Sequence, residues 1–404
     1  MRRYLHILAL SFLAALALVG GFTRLVDPYD YWGGPQIAGL NRYKPASGKH
    51  LQAVKLRQIE RLRPRTLLVG NSRVAVGLDP ASPAWPRSAR PVYNLGLPGA
   101  GTDAVVEATI DAMDRTHARA VVFAVEFDDF RVSLRQWRSW NATEAVSPAA
   151  GGLREKVEVI LSLDALSDSL AALLEQRKAN PAHITPQGFD SLAEYNDNVA
   201  AEGHAVLFEQ RQRDLLARWL GGAKAVRWPG AGGSPDWAAL ERLAAECRRR
   251  RVSLTLVTYP YHVDMLLGFE ASGLWPAFED WRRGLAAFAA RAGVPLYDFS
   301  GVAPETIEPV PARGDTETHM RWYWEAGHFK AALGERMIAD LAAGTPRFGT
   351  RLTPGNVGEV LSGQRRALGE YRLARKADAA RFDRLFAEVR RASPVAAAIE
   401  SASR

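Results

Sequence analysis

Five short apolar runs, each closed by a turn, divide the chain: Thr66 to Val69, Val92 to Leu95, Ala120 to Val125, Ser253 to Thr258 and Val294 to Asp298. Runs this short and this continuously apolar read as strands covered on both faces, the pattern of a parallel sheet. The first ends at Gly70-Asn71-Ser72 and the second at Gly96-Leu97-Pro98-Gly99-Ala100-Gly101, where turn residues let strand give way to helix. Helices are expected at Leu51 to Leu62, from Thr102 or Asp103 (either able to cap) to about Thr116, and at Leu153 to Gln176, Ala205 to Leu220 and Trp237 to Arg250. Two more follow at Trp275 to Arg291 and Lys330 to Leu341. Alternating strands and helices predict an α/β fold, a three-layer sandwich with a mainly parallel sheet. Its sites should lie at the carboxyl ends of the strands.

One segment stands outside this pattern. After Met1-Arg2-Arg3, an almost unbroken apolar run extends from Tyr4 to Phe22. As a helix it spans about 28 Å, close to the thickness of a hydrocarbon core. Ala15-Leu16-Ala17 offers a small-x-small cleavage site, but the run continues past it, which favours an uncleaved anchor over a signal peptide. The positive-inside rule puts Arg2 and Arg3 in the cytoplasm and everything after Thr23 outside, so a single-pass anchor with a periplasmic body is expected. With only one such run among 404 residues, a multi-span transporter is excluded.

The expected organisation is an anchor over residues 1–23, a connecting segment over 24–64, and an α/β domain over 65–345 carrying a helical insertion at about 131–235. A charged helical tail covers 346–404 and reads as a packed helical pair, a partner-binding arm, a partly disordered segment or a solvated surface helix. The single cysteine, Cys247, excludes an internal disulfide framework and any cysteine-based metal or iron–sulfur site. Net charge is +8, from 52 basic and 44 acidic residues, but it is spread along the chain without a reading motif, so no nucleic-acid partner is expected. No cofactor is expected either.

Three segments carry chemistry. Ser72 follows the first strand directly, where a nucleophile is exposed at the carboxyl end and the N–H groups of Ser72 and Arg73 can face an oxyanion. Gly99 closes the second strand and can offer another backbone N–H with no side chain in the way. In Trp324-Glu325-Ala326-Gly327-His328-Phe329, Glu325 lies three residues before His328 and can orient its imidazole toward Ser72. This is the serine–histidine–acid logic in the chain order serine, acid, histidine.

These blocks resemble the SGNH/GDSL hydrolase superfamily, whose first block is a strand followed by Gly-Asp-Ser, whose second carries an oxyanion glycine, and whose last is Asp-x-x-His. Here they are Gly70-Asn71-Ser72, Gly99 and Glu325-x-x-His328, with Asn for Asp and Glu for Asp. More narrowly, Leu68-Val69-Gly70-Asn71-Ser72-Arg73, Gly77-Leu78-Asp79-Pro80 and Tyr93-Asn94-Leu95-Gly96 resemble membrane-anchored bacterial SGNH-like proteins linked to cell-surface polysaccharide. The resemblance covers 66–130 well and 250–342 loosely. It implies an esterase or O-acyltransferase acting on acyl groups of a surface glycan, with a membrane acyl-transfer protein as partner; the rival is a non-catalytic glycan-binding or assembly subunit on the same scaffold. The third block of the family supplies an oxyanion asparagine, whereas Glu126-Phe127-Asp128-Asp129 puts Asp128 there. An ionised carboxylate accepts hydrogen bonds and repels an oxyanion. Either Asp128 is protonated, the hole uses backbone donors alone, or the site does not hydrolyse esters.

Other residues qualify by position only. His262 and Asp298 follow core strands and are possible pocket residues, with turn and capping roles as alternatives. Asp315, Glu317 and His319 form a second acid–histidine group that could supply the triad instead but is read as a solvated loop, and no metal site is expected there. Trp137, Trp140, Trp228, Trp322 and Trp324 are candidates for stacking on sugar rings.

Overall fold

The strands fall where the apolar runs place them: β1 is Thr66–Gly70, β2 Val92–Gly96, β3 Ala120–Val125, β4 Ser253–Thr258 and β5 Leu296–Asp298. In the computed structural model, which describes residues 1–132, 153–227 and 234–393, they form a parallel sheet. Two further pairings escape the sequence pattern. A two-residue strand, Thr350–Arg351, adds antiparallel to β5, and Tyr323–Glu325 pairs with His328–Phe329 in a separate small hairpin. Numbering these in chain order makes the hairpin β6 and β7 and the edge strand β8. The large sheet then runs β2-β1-β3-β4-β5-β8.

That order fixes where a site belongs. β1 pairs with β2 on one side and β3 on the other, with Thr66 level with both Val92 and Ala120. The strand order therefore reverses beside β1, and ligands of open α/β sheets bind outside the carboxyl ends of strands at such a switch point. Burial follows: Leu67, Leu68 and Val69 are fully buried, as the continuous apolar run requires.

The helices, numbered in chain order, are α1 Arg2–Val26, α2 Leu51–Leu62, α3 Ser72–Gly77, α4 Thr102–Arg115, α5 Leu153–Leu161, α6 Leu163–Glu175 and α7 Tyr195–Gly221. Then come α8 Pro235–Arg250, α9 Val263–Ala271, α10 Trp275–Ala292, α11 Ala331–Ala343, α12 Val357–Ala374 and α13 Lys376–Ala392. The single helix expected over 153–176 is broken at Ser162, whose hydroxyl accepts from Ala165 N–H at 2.9 Å and so caps a new helix. Thr102 does not cap α4; Gly101 occupies that position, and the Thr102 hydroxyl donates to Asp129 instead.

The chain divides into two compact units, 1–63 with 145–196 and 64–144 with 197–404. Part of the segment expected as an insertion on the α/β body thus groups with the N-terminal residues.

In the first unit, α1 carries the apolar run, and the last turn of that helix is built into its surroundings. The Thr23 hydroxyl donates to the Ile160 carbonyl at 2.5 Å, Lys44 Nζ donates to the carbonyls of Val26 and Asp27, and Asn41 donates to Leu25. In the second unit, the tail is a packed helical pair. Arg365 on α12 forms a two-pronged ion pair with Glu279 on α10, and Arg381 on α13 reaches the wholly buried Asp264 at the start of α9.

Candidate active site

Ser72 is the first residue of α3, directly after β1. Asn71 caps that helix, its Oδ1 accepting the Arg73 N–H at 3.0 Å. At the far end, buried Asn94 on β2 donates to the carbonyls of Val74 and Leu78 at 2.7 and 2.8 Å. A six-residue helix is too short to hold itself, so these two asparagines set its position. Gly77 lets α3 meet its neighbours: any Cβ there would run into the Phe329 ring of β7. The glycine therefore brings the serine-bearing helix against the hairpin that carries the histidine.

The hairpin presents His328 with its ring between two partners. Nδ1 bonds Glu325 Oε1, and Nε2 lies 2.8 Å from Ser72 Oγ. An ionised carboxylate cannot donate, so Nδ1 carries the proton and Nε2 accepts from the serine hydroxyl. Glu325 is buried on β6, accepts the Gly327 N–H at 2.5 Å and has Arg211 Nε at 3.8 Å. Burial works to raise its pKa, but His328, Arg211 and the Gly327 N–H outweigh it and hold the carboxyl below its ordinary value. The carboxylate beside the imidazole is thus kept ionised, in a form able to orient the ring and balance a charge on it. Ser72 and His328 are partly exposed, so the serine hydroxyl is reachable from solvent.

Behind the triad sits a layer that sequence reading did not find. Arg73 is assigned above an oxyanion role through its N–H; that N–H is consumed by Asn71, so it is not available. Its side chain instead turns inward and is buried. Nε donates to the Gly327 carbonyl at 2.6 Å, Nη1 pairs with Glu126, and the guanidinium lies over the rings of Tyr259 and Tyr261 at 5.4 and 5.5 Å. Glu126, at the end of β3, also accepts the Tyr261 hydroxyl at 2.8 Å. Arg73 thereby connects the serine helix, the end of β3 and the loop between Glu325 and His328. The signal for this was a buried-strand end followed by Glu126, but a sequence gives no way to tell which of three nearby acids would face inward.

Backbone donors remain. Among the described residues neither the Ser72 nor the Gly99 N–H has an acceptor. Gly99 has φ +76° in a turn closed by Ala100 N–H to Leu97 carbonyl, the conformation a type II turn demands after Pro98. The crevice beside Asn71, lined by Thr102, Asp129 and Tyr259, has no room for a water molecule and so is packing, not a pocket.

The other position-based candidates separate from the triad. Asp128 does not take the oxyanion position: its carboxylate accepts Trp219 Nε1–H at 2.9 Å and pairs with Arg131 at 2.9 Å. His262 is buried as the cap of α9, Nδ1 accepting the Asp264 N–H and Nε2 donating to the Glu308 carbonyl, with Phe208 and Tyr323 on its faces. Asp298 is buried against Arg282 and accepts from Thr258 and Ser300. Its role is structural. Asp315 closes a local turn on Glu317 and Thr318, His319 is exposed, and no cluster able to hold a metal occurs among the described residues. Trp324 is buried beneath Lys330, and Trp322, half-buried, carries Arg321 on its ring. Trp137, Trp140 and Trp228 lie outside the described residues.

Comparison with protein-family models, with curated proteins and with solved structures gives no match.

Proposed function

We propose that this chain is a membrane-anchored serine acyl-transfer enzyme of SGNH-like, three-layer architecture, acting outside the cytoplasm on acyl groups of a surface glycan. The observation that carries the reading is the 2.8 Å approach of His328 Nε2 to Ser72 Oγ, with Glu325 on the other ring nitrogen. Residues 256 positions apart in sequence are brought into the relation a nucleophile and its base require. Ser72 Oγ attacks the acyl carbonyl while His328 takes its proton. The tetrahedral oxyanion is met by the N–H groups of Ser72 and Gly99. Collapse breaks the bond to the alcohol, which leaves with the proton from His328, and Ser72 is acylated. Water or a sugar hydroxyl then gives up a proton to His328, attacks the acyl-enzyme, and restores Ser72.

The diversion of Asp128 to Trp219 and Arg131 supports a hole built from backbone donors, with no carboxylate facing the oxyanion. The glycan and the membrane acyl-transfer partner come from the resemblance in the sequence blocks. Retention of the anchor is supported by Thr23, Val26 and Asp27, whose bonds to Ile160 and Lys44 build the outer end of α1 into the fold.

The test is intact mass of the full chain in detergent after exposure to a fluorophosphonate, beside Ser72→Ala and His328→Ala. One adduct, absent from both variants, is expected. A folded protein that takes no adduct would overturn the enzyme reading in favour of a non-catalytic glycan-binding subunit.

A further inference from the structure

Helix α6 is amphipathic the wrong way round. The side facing its own unit carries Asp168, Ser169 and Glu175 with Ala165 and Ala172, all buried, while Leu163, Leu170 and Leu174 are 85%, 52% and 68% exposed. At 100° per residue the three leucines fall in one stripe about 40° wide and about 16 Å long. The inward polar groups are matched: Asp168 accepts the Tyr29 hydroxyl at 2.8 Å and pairs with Lys49, and Ala182 N–H donates to Glu175 at 2.8 Å. The leucines are thus turned out of a fold that has used the helix's polar face for packing. In water that arrangement is unfavourable, since apolar surface gains by leaving it.

The neighbouring surface says what covers the stripe. The preceding helix, α5, leaves Val157 and Leu161 exposed, and its Ile160 and Leu161 side chains lie against Gly20 of α1. Gly20 lies in the last turn of the apolar run and Thr23 just beyond it, both within α1. α1 itself buries nothing over its most apolar stretch, with Leu8, Leu10, Phe12, Leu13 and Leu18 all exposed. Leu161 at the end of α5 therefore adjoins α1 close to where the exposed apolar stretch of that helix ends, and the α6 stripe starts two residues on at Leu163. Arg24 stacks on Trp32 at 5.3 Å at this same level, a cation and an indole of the kind that settle at headgroups.

We infer that α5 and α6 form an interfacial hairpin that sinks Leu161, Leu163, Leu170 and Leu174 into the acyl region of the outer leaflet beside α1. The occupant is lipid, as for amphipathic helices that lie in the interface plane. The inference rests on α1 being a retained span. It makes the first unit a platform held by two apolar elements, so that rotation about the α1 axis is blocked as well as escape.

The experiment uses the full chain with Cys247→Ala, carrying bimane on one cysteine at a time: Leu163→Cys, Leu170→Cys or Leu174→Cys. Leu13→Cys in α1 and Glu241→Cys on α8 serve as references. Each is placed in nanodiscs of phosphatidylethanolamine and phosphatidylglycerol containing lipid with a nitroxide on its acyl chain. Quenching at the three α6 positions should reach at least half that at Leu13, with Glu241 unquenched. Quenching at the Glu241 level, while Leu13 is quenched, would overturn the hairpin and leave the span standing. Shielding from aqueous iodide without lipid quenching would also overturn it, and assign the stripe to a protein contact. An unquenched Leu13 would overturn the span itself and the inference with it.

Discussion

Replacing Arg73 by Met tests whether the triad is held from behind. The guanidinium and the Glu126 carboxylate are both buried, with side-chain exposures of 8% and 5%. Removing one member of such a pair leaves a charge with little water, at a cost of about 3–5 kcal/mol. A domain is stable by only about 5–15 kcal/mol, so this is a large share of the whole. Met suits the site sterically, because the space lies between two tyrosine rings and Met265 Sδ.

Glu126→Gln should cost less, about 1–3 kcal/mol, since the amide oxygen can still accept from Tyr261 and Arg73 keeps the Gly327 carbonyl. The double variant Arg73→Met/Glu126→Gln has no stranded charge. Its loss should fall short of the sum of the singles by about 2–3 kcal/mol. Urea unfolding in detergent measures all four corners of the cycle. Fluorophosphonate labelling gives the second readout. The double variant regains stability but not the donor to Gly327, so labelling of Ser72 should stay about tenfold slow, the equivalent of about 1.4 kcal/mol. Additivity within about 0.5 kcal/mol would refute the coupling. Labelling that recovers together with stability would refute the claim that Arg73 positions the base.

Glu325→Gln should slow labelling about 10³-fold or more, by losing the carboxylate that selects the His328 tautomer; full labelling would remove Glu325 from the mechanism. Because the folded pKa of Glu325 is depressed, its stabilising contribution is complete above the ordinary value of 4.5 and is lost as pH falls through the lower folded value. The variant should therefore unfold with a flatter acid limb. Lys55 is wholly buried, its Nζ donating to the Gly188 carbonyl at 2.8 Å, and burial pushes its pKa down from 10.5 to about 7. Between those values the unfolded chain binds the extra proton, so stability should rise with pH, by up to about 5 kcal/mol, and Lys55→Met should abolish the slope in thermal melts. Asp129 is shifted the other way, chiefly by burial, to about 6 from 3.8. The folded state holds the extra proton there, stability falls as pH rises across that window, and Asp129→Asn should gain up to about 3 kcal/mol at pH 7 and nothing at pH 3.

The parallel strands were legible because a strand covered on both faces has no polar alternation to confuse it, and because Gly70 and Gly96 mark where β1 and β2 stop. The serine, glutamate and histidine were legible as an ordered set, since Glu325 and His328 share one short segment. The β6–β7 hairpin was not, because strands of three and two residues contain no period to read. Asp128, His262 and Asp298 show a different limit. A position at a strand's carboxyl end says that a residue is near the site, but the direction of its side chain is chosen by Trp219, Glu308 and Arg282, which arrive from far along the chain. Arg73 was assigned through its backbone when its side chain was the informative part. The break at Ser162 was in principle readable, as a serine hydroxyl able to take up a free helical N–H.

The order in which the chain leaves the ribosome gives the C-terminal helices a significance beyond packing. Asp264 is fully buried, and its carboxylate is shared between Gln212 and Arg381. His262 accepts the Asp264 N–H and packs on Tyr323, the residue that opens the strand ending in Glu325. Until residue 381 has been synthesised, the buried Asp264 carboxylate lacks the arginine that pairs with it among the described residues. Ser72 is thus among the first parts of the body to emerge, while the arginine that pairs with Asp264 is among the last. The Ser72–His328 bond joins residues 256 apart, so a nascent chain carries the serine long before it carries the histidine that meets it.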